Sequence, residues 1–127
     1  MGEQGFRELK VWQNAKDLAV HIYQLSSSGS LSKDFGLRDQ IRRSAISIPS
    51  NIAEGDERDT NKDSVRFLYI AKGSLAELRT QLEIAQTVSL VSKQDYQVLE
   101  AKCAEIGRML GALIKARSQQ NQVQSTS

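Results

Sequence analysis

Residues 66–85 read RFLYIAKGSLAELRTQLEIA, and their spacing decides the fold class. Leu68, Ala71, Leu75, Leu78, Leu82 and Ala85 recur at intervals of three and four. That period places all of them on one side of an α-helix, whereas a half-buried strand would alternate. A stripe so regular is the seam of a helix packed against other helices.

Working outward, three more segments carry the same signature. The first holds Trp12, Ala15, Ala19, Ile22 and Leu25 and stops at SSSGS (26–30). The second holds Leu37, Ile41, Ala45, Ile48 and Ile52, and the fourth Tyr96, Leu99, Cys103, Ile106, Leu110 and Leu113. Start signals agree. Thr60 with Asp63 and Ser92 with Asp95 resemble capping boxes with Asp in the acidic position, so the third helix begins near 61 and the fourth near 93. Short links favour antiparallel neighbours, so the expected fold is all-α, an up-down antiparallel four-helix bundle over residues 1–117. Residues 118–127, SQQNQVQSTS, have neither stripe nor charge and read as a disordered tail.

The segment SIPSNIAEG (47–55) tests this reading, because Pro49 sits inside the second stripe. Proline removes its own amide and crowds the carbonyl four residues back, here that of Ala45. Yet Ile41, Ala45, Ile48 and Ile52 stay in phase across it, so the expectation is a kink rather than a break. Ser44, Ser47, Ser50 and Asn51 are the neighbours able to rebond the freed groups, and Gly55 suits the end of the helix.

Composition sets outer bounds. The 127 residues, 39% hydrophobic and 25% charged, suit one domain with a single core. A net charge of +2 gives no whole-molecule field toward nucleic acid or membrane, so any basic patch must arise from arrangement. One cysteine precludes an internal disulfide. The start, MGEQGFRELKVW, has no apolar signal core, and no run approaches the ~20 apolar residues of a span. The expectation is a soluble, cytoplasmic protein without membrane association.

LRDQIRRSAISIPSNIAEG (37–55) and RFLYIAKGSLAELRTQLEIA (66–85) resemble the 23S rRNA intervening-sequence protein family, or four-helix bundle protein family. FRELKVWQNAKDLAVHIYQL (6–25) and IGRMLGALIKA (106–116) are similar to its outer helices, so the resemblance spans roughly 6–116. It implies a small bacterial bundle assembling as a ring-like homopentamer, with no established enzymatic activity. The family is in turn similar to the accessory variability determinant proteins of diversity-generating retroelements, positively charged pentameric barrels that bind nucleic acid and a reverse transcriptase. The family motif falls on Gln40, Arg43, Ser47, Pro49, Asn51, Glu54 and Gly55, and on Phe67, Ala71, Gly73, Ser74 and Glu77. Two stretches depart from it: SSSGSLSKDFG (26–36) replaces a proline-bearing link, and GDERD (55–59) is more acidic than a dedicated nucleic-acid surface requires.

Three constellations remain. Gln40, Asn51, Glu54, Ser74 and Glu77 form small-and-polar strips on adjacent helices, expected as a structural network fixing register within the bundle or between subunits. The sharper alternative, a metal held by Glu54 and Glu77, lacks the Glu-x-x-His pattern of bundle metal sites, so neither metal nor cofactor is expected. Arg38, Arg42, Arg43, Lys62, Arg66 and Lys72 are candidate nucleic-acid contacts, singly solvated but forming a belt if repeated around a ring. The aromatics read as core, which leaves no stacking platform. His21 reads as an edge histidine and Cys103 as a buried, inert thiol. Val11, Leu18, Phe67, Ile70 and Ile84 lie off the stripes and call for burial elsewhere, in a subunit interface. The function expected is therefore a non-enzymatic oligomeric adaptor that binds RNA or DNA, a protein partner, or both. The alternatives are a pure protein scaffold and a carboxylate metal enzyme.

Overall fold

The computed structural model describes the backbone of residues 5–126 and the side chains of residues 5–119. Four α-helices follow one another: α1 Lys10–Leu25, α2 Phe35–Asp56, α3 Asn61–Thr87 and α4 Lys93–Thr126. Short 3-10 turns at Gly5–Glu8 and Leu31–Lys33 precede α1 and α2, and the described residues contain no strand. The helix bounds of α4 run into the stretch expected as a tail, and the side chains of 120–127 lie outside the described residues.

Residue pairs fix the chain directions. Between α2 and α3, Gly55 lies against Ser64 and Ser47 bonds Ser74, while Gln40 and Gln81 flank one groove. Between α3 and α4, Arg79 pairs with Glu100 and Arg117 with Ser64. Between α1 and α4, Asn14 meets Met109 and His21 meets Lys102. One number rises as the other falls in every case, so these neighbours are antiparallel. The chain is an up-down four-helix bundle.

The four stripes form its core. Ile41, Ala45, Ile48 and Ile52 of α2 are all fully buried, as are Leu68, Ala71, Leu78, Leu82 and Ala85 of α3. Leu99, Cys103 and Leu110 of α4 join them. The stripe of α2 stays in phase across Pro49, which lies inside the continuous helix. Val11 and Leu18 correct an expectation. They are 5% and 0% exposed within this single chain. Helix α1 faces both α2 and α4, and the wider apolar arc that this needs takes in the off-stripe positions.

The helix starts follow the sequence signals. The Thr60 hydroxyl accepts from the Asp63 amide at 3.1 Å, and the Ser92 hydroxyl from the Asp95 amide at 3.0 Å. A third cap, Asp34 accepting from the Leu37 amide, lies in the link after α1. The ends differ more. Gly55 is not a terminal residue: α2 continues to Asp56, and a Cβ at Gly55 would stand 3.0 Å from the Ser64 carbonyl oxygen and 3.2 Å from Phe67 Cβ. Its hydrogen lets α3 approach. At the end of α3, by contrast, Ser89 adopts φ 66°, the left-handed position that glycine usually fills. The Leu90 amide donates to the Ala85 carbonyl at 2.8 Å and the Ser89 amide to Gln86 at 3.0 Å, which closes the helix as a Schellman motif.

Candidate functional site between helices two and three

Helices α2 and α3 meet through small and polar side chains above the core. The Ser47 and Ser74 hydroxyls share a 2.8 Å hydrogen bond, and the Asn51 amide donates to the Ser47 hydroxyl at 3.0 Å and to its carbonyl at 2.8 Å. Asn51 thus stays on its own helix and reaches Ser47, two residues past the Ala45 carbonyl that Pro49 leaves without its usual donor. Beside this chain of bonds lies a groove of about 360 Å³ lined by Gln40, Arg43, Ser44, Ser47, Ser74, Glu77 and Gln81. It brings together Gln40, Ser74 and Glu77 of the expected network, with Asn51 attached through Ser47.

Glu54 is elsewhere. It is exposed and forms an ion pair with Arg58 one turn on, not a partnership with Glu77. The i to i+4 relation to Arg58 is a stronger local attraction than any reach across to α3. Glu54 and Glu77 share no ligand geometry, and the described residues hold no cluster of three metal-binding side chains.

The six candidate cations divide into two groups. Arg38 and Arg42 are engaged within the chain. Arg38 pairs with Asp39 and donates to the Ser32 carbonyl; Arg42 donates to the Ser26 and Ser27 hydroxyls and covers the Tyr23 ring at 4.5 Å. These contacts bind the corner between α1 and α2. Arg43, Lys62, Arg66 and Lys72 are exposed and pair with no carboxylate among the described residues. Arg66 lies over Phe67 and Lys72 over Tyr69. The aromatics are not all core: Tyr23, Phe35 and Tyr69 are 41%, 65% and 55% exposed, each with a cation over its ring. One-stripe reasoning could not find this, because a ring off the stripe is hidden or shown by its neighbours alone.

One feature that the sequence reading missed lies at the end of the bundle. Arg117 of α4 donates to Asp56 Oδ1 at 2.8 Å and to the Ser64 hydroxyl, with Asp56 5% exposed on its side chain and Arg117 16%. The second Asp56 oxygen is buried without a partner. No local pattern announces a pair separated by 61 residues.

His21 and Cys103 take the expected roles. Lys102 Nζ lies 2.9 Å from His21 Nδ1, and partial burial, reinforced by that ammonium and opposed by Asp95, lowers the histidine pKa from its ordinary value. Burial pushes the Cys103 thiol up to about 12, so it stays protonated and unreactive.

The sequence profile of the 23S rRNA-intervening sequence proteins matches residues 7–112. The chain belongs to the 23S rRNA-intervening sequence protein family. A crystal structure of an S23 ribosomal protein family member of unknown function from Bacteroides thetaiotaomicron is similar to it. That protein is 27% identical, with a TM-score of 0.76 over 83% of this chain and 98% of the other. Among curated proteins none matches the chain. The matched span includes all the groove residues and ends before Arg117, so the clamp on Asp56 lies partly beyond it. No helix among the described residues is long and apolar enough to cross a membrane.

Proposed function

We propose that this 23S rRNA-intervening sequence protein is a non-enzymatic, self-assembling adaptor that presents the outer face of α2 and α3 to nucleic acid. The carrying observation is that Arg43 of α2 and Lys62, Arg66 and Lys72 of α3 are exposed without carboxylate partners among the described residues. A ring-like homopentamer, as the family resemblance implies, repeats this weak patch five times, and repeated phosphate contacts bind without sequence preference. Ile46, Ile70 and Ile84, 43%, 46% and 50% exposed, supply apolar area for the subunit contact. A bend of α2 at Pro49 belongs to this reading, since it sets the curvature with which one subunit meets the next. The reading places the protein in the cytoplasm.

The test is a titration of labelled duplex DNA and structured rRNA fragments at low and near-physiological salt, with the mass measured in parallel. Binding that falls steeply with salt, with a shallower slope in an Arg43/Lys62/Arg66/Lys72→Ala variant, supports the reading. The structure changes which arginines to remove: Arg38 and Arg42 secure the α1–α2 corner, and their loss mixes binding with folding. A monomeric mass at micromolar concentration, or no binding at low salt, overturns it. Protein binding without nucleic-acid affinity is the second reading, favoured by the exposed Ile70 and Ile84 on α3.

A further inference from the structure

The groove between α2 and α3 contains more polar groups than the chain satisfies. Ser44 is 5% exposed, lines the groove, and its hydroxyl has no hydrogen-bond partner. Gln81 Oε1 is shielded and equally without a partner. A shielded oxygen without a partner costs free energy, so Gln81 marks where a small shift of a side chain onto a ligand donor gains most.

Charge narrows the class. Arg43 stands on the α2 wall and Glu77 on the α3 wall, and although both line one groove they do not form an ion pair with each other or with any described residue. An anion alone would meet Glu77, a cation alone would meet Arg43, and an apolar molecule would leave Ser44 and Gln81 unsatisfied. A small molecule bearing both charges satisfies both walls. The volume, about 360 Å³, equals about twelve waters at roughly 30 Å³ each, which suits a small molecule and not a polymer segment. A second depression of about 340 Å³ adjoins it, sharing Glu77 and Gln81 and floored by Gly73, Ala76 and Thr80. A Cβ at Gly73 would meet nothing within 4 Å, so that floor is open.

We infer that the α2–α3 groove is a binding site for a free α-amino acid: Arg43 takes its carboxylate, Glu77 its ammonium, and the Gly73–Ala76 floor its side chain. Ser44 completes the polar contacts as donor or acceptor, and Gln81, by a turn of its amide out of its shielded position, accepts from the ammonium. This site shares Arg43 with the nucleic-acid reading but adds Glu77 and Ser44, which a phosphate backbone would not seek, and it is read by amino-acid binding alone.

The experiment is a thermal-shift screen of the intact protein with each standard L-amino acid at about 10 mM, followed by calorimetry of any that raise the midpoint. Expected is at least one amino acid binding once per chain, with its N-acetyl and carboxamide derivatives weaker by about tenfold or more. Arg43→Gln and Glu77→Gln should each weaken it by a similar factor. Gly73→Leu fills the open floor without touching the core, so it should abolish binding while the unfolding midpoint holds or rises. Any of four results overturns the inference: no amino acid binds, the blocked derivatives bind as well, binding survives both charge substitutions unchanged, or Glu77→Gln dissociates a larger assembly and so shows a second copy in the groove. Each is read without nucleic acid, so its failure leaves the adaptor titration untouched.

Discussion

The two sides of the bundle enclose clefts of nearly equal size and opposite character. Between α1 and α4 the cleft is about 390 Å³, bounded by Asn14, Asp17, Ala101, Lys102, Glu105 and Ile106. Its Lys102 is engaged by His21 and its Asn14 by the Met109 sulfur. Between α2 and α3 the groove is about 360 Å³, and the shielded Gln81 Oε1 in its lining is left without a partner. The α2–α3 groove lies between helices brought close at one end by Gly55 and joined at its floor by two serines. Equal volume therefore carries unequal information: among the described residues, a shielded polar atom without a partner lines the second space, at Gln81, and none lines the first.

Predictions can break this comparison in order of size. Arg117→Ala should have the largest effect, about 3–5 kcal/mol of stability, because it strands the Asp56 carboxylate at the closed end of the α2–α3 side. Denaturant unfolding checks this, and a loss near zero would mean that water reaches Asp56. Gly55→Ala should cost about 1–3 kcal/mol, since backbone, not a flexible side-chain tip, stands 3.0 Å from the new methyl. If it is neutral, the close approach of α2 and α3 is looser than the structure holds. Ser89→Gly, at the turn between α3 and α4, should stabilise by about 0.5–1 kcal/mol by relieving a left-handed serine. A thermal melt is sufficient to see it.

The smallest effect belongs to the α1–α4 side. His21 has a lowered pKa in the fold, so the unfolded chain binds the proton first as pH falls through the ordinary value of 6.5. Stability from this group is therefore present above that value and declines below it, levelling once the folded form also protonates. His21→Gln should flatten the stability profile between pH 5 and 7, about the window of an ordinary histidine. An unchanged profile would assign the dependence to carboxylates instead. Cys103 offers a qualitative check: its thiol, pushed up to about 12, should react with a thiol reagent only as fast as the protein unfolds.

How much of this was legible beforehand depends on the range of the interaction. The caps at Thr60 and Ser92 were readable because donor and acceptor are three residues apart. Ser74 and Glu77 were readable as part of a strip, since helical periodicity assigns them a face. Within the chain Glu54 pairs with Arg58 and does not join that strip, because periodicity gives the face of a helix but not which of two partners a flexible carboxylate chooses. Arg38 and Arg42 read as solvated cations with Asp39 as an ion-pair partner, and Arg38 does pair with Asp39. Their bonds to Ser26, Ser27 and the Ser32 carbonyl were not legible, because these lie in a link whose path the sequence leaves open.

By itself, then, the sequence determined the helices, their order, the core stripe of each and the family, all properties that repeat every three or four residues or sit within one turn. The tertiary structure alone decided that Gly55 serves a close approach, that Val11 and Leu18 are core, that Arg117 reaches Asp56, and that Arg43 and Glu77 face one groove unpaired. The physical reason is common to all four. Each depends on the distance between helices, and that distance is set by the summed packing of the whole bundle rather than by any local run of residues.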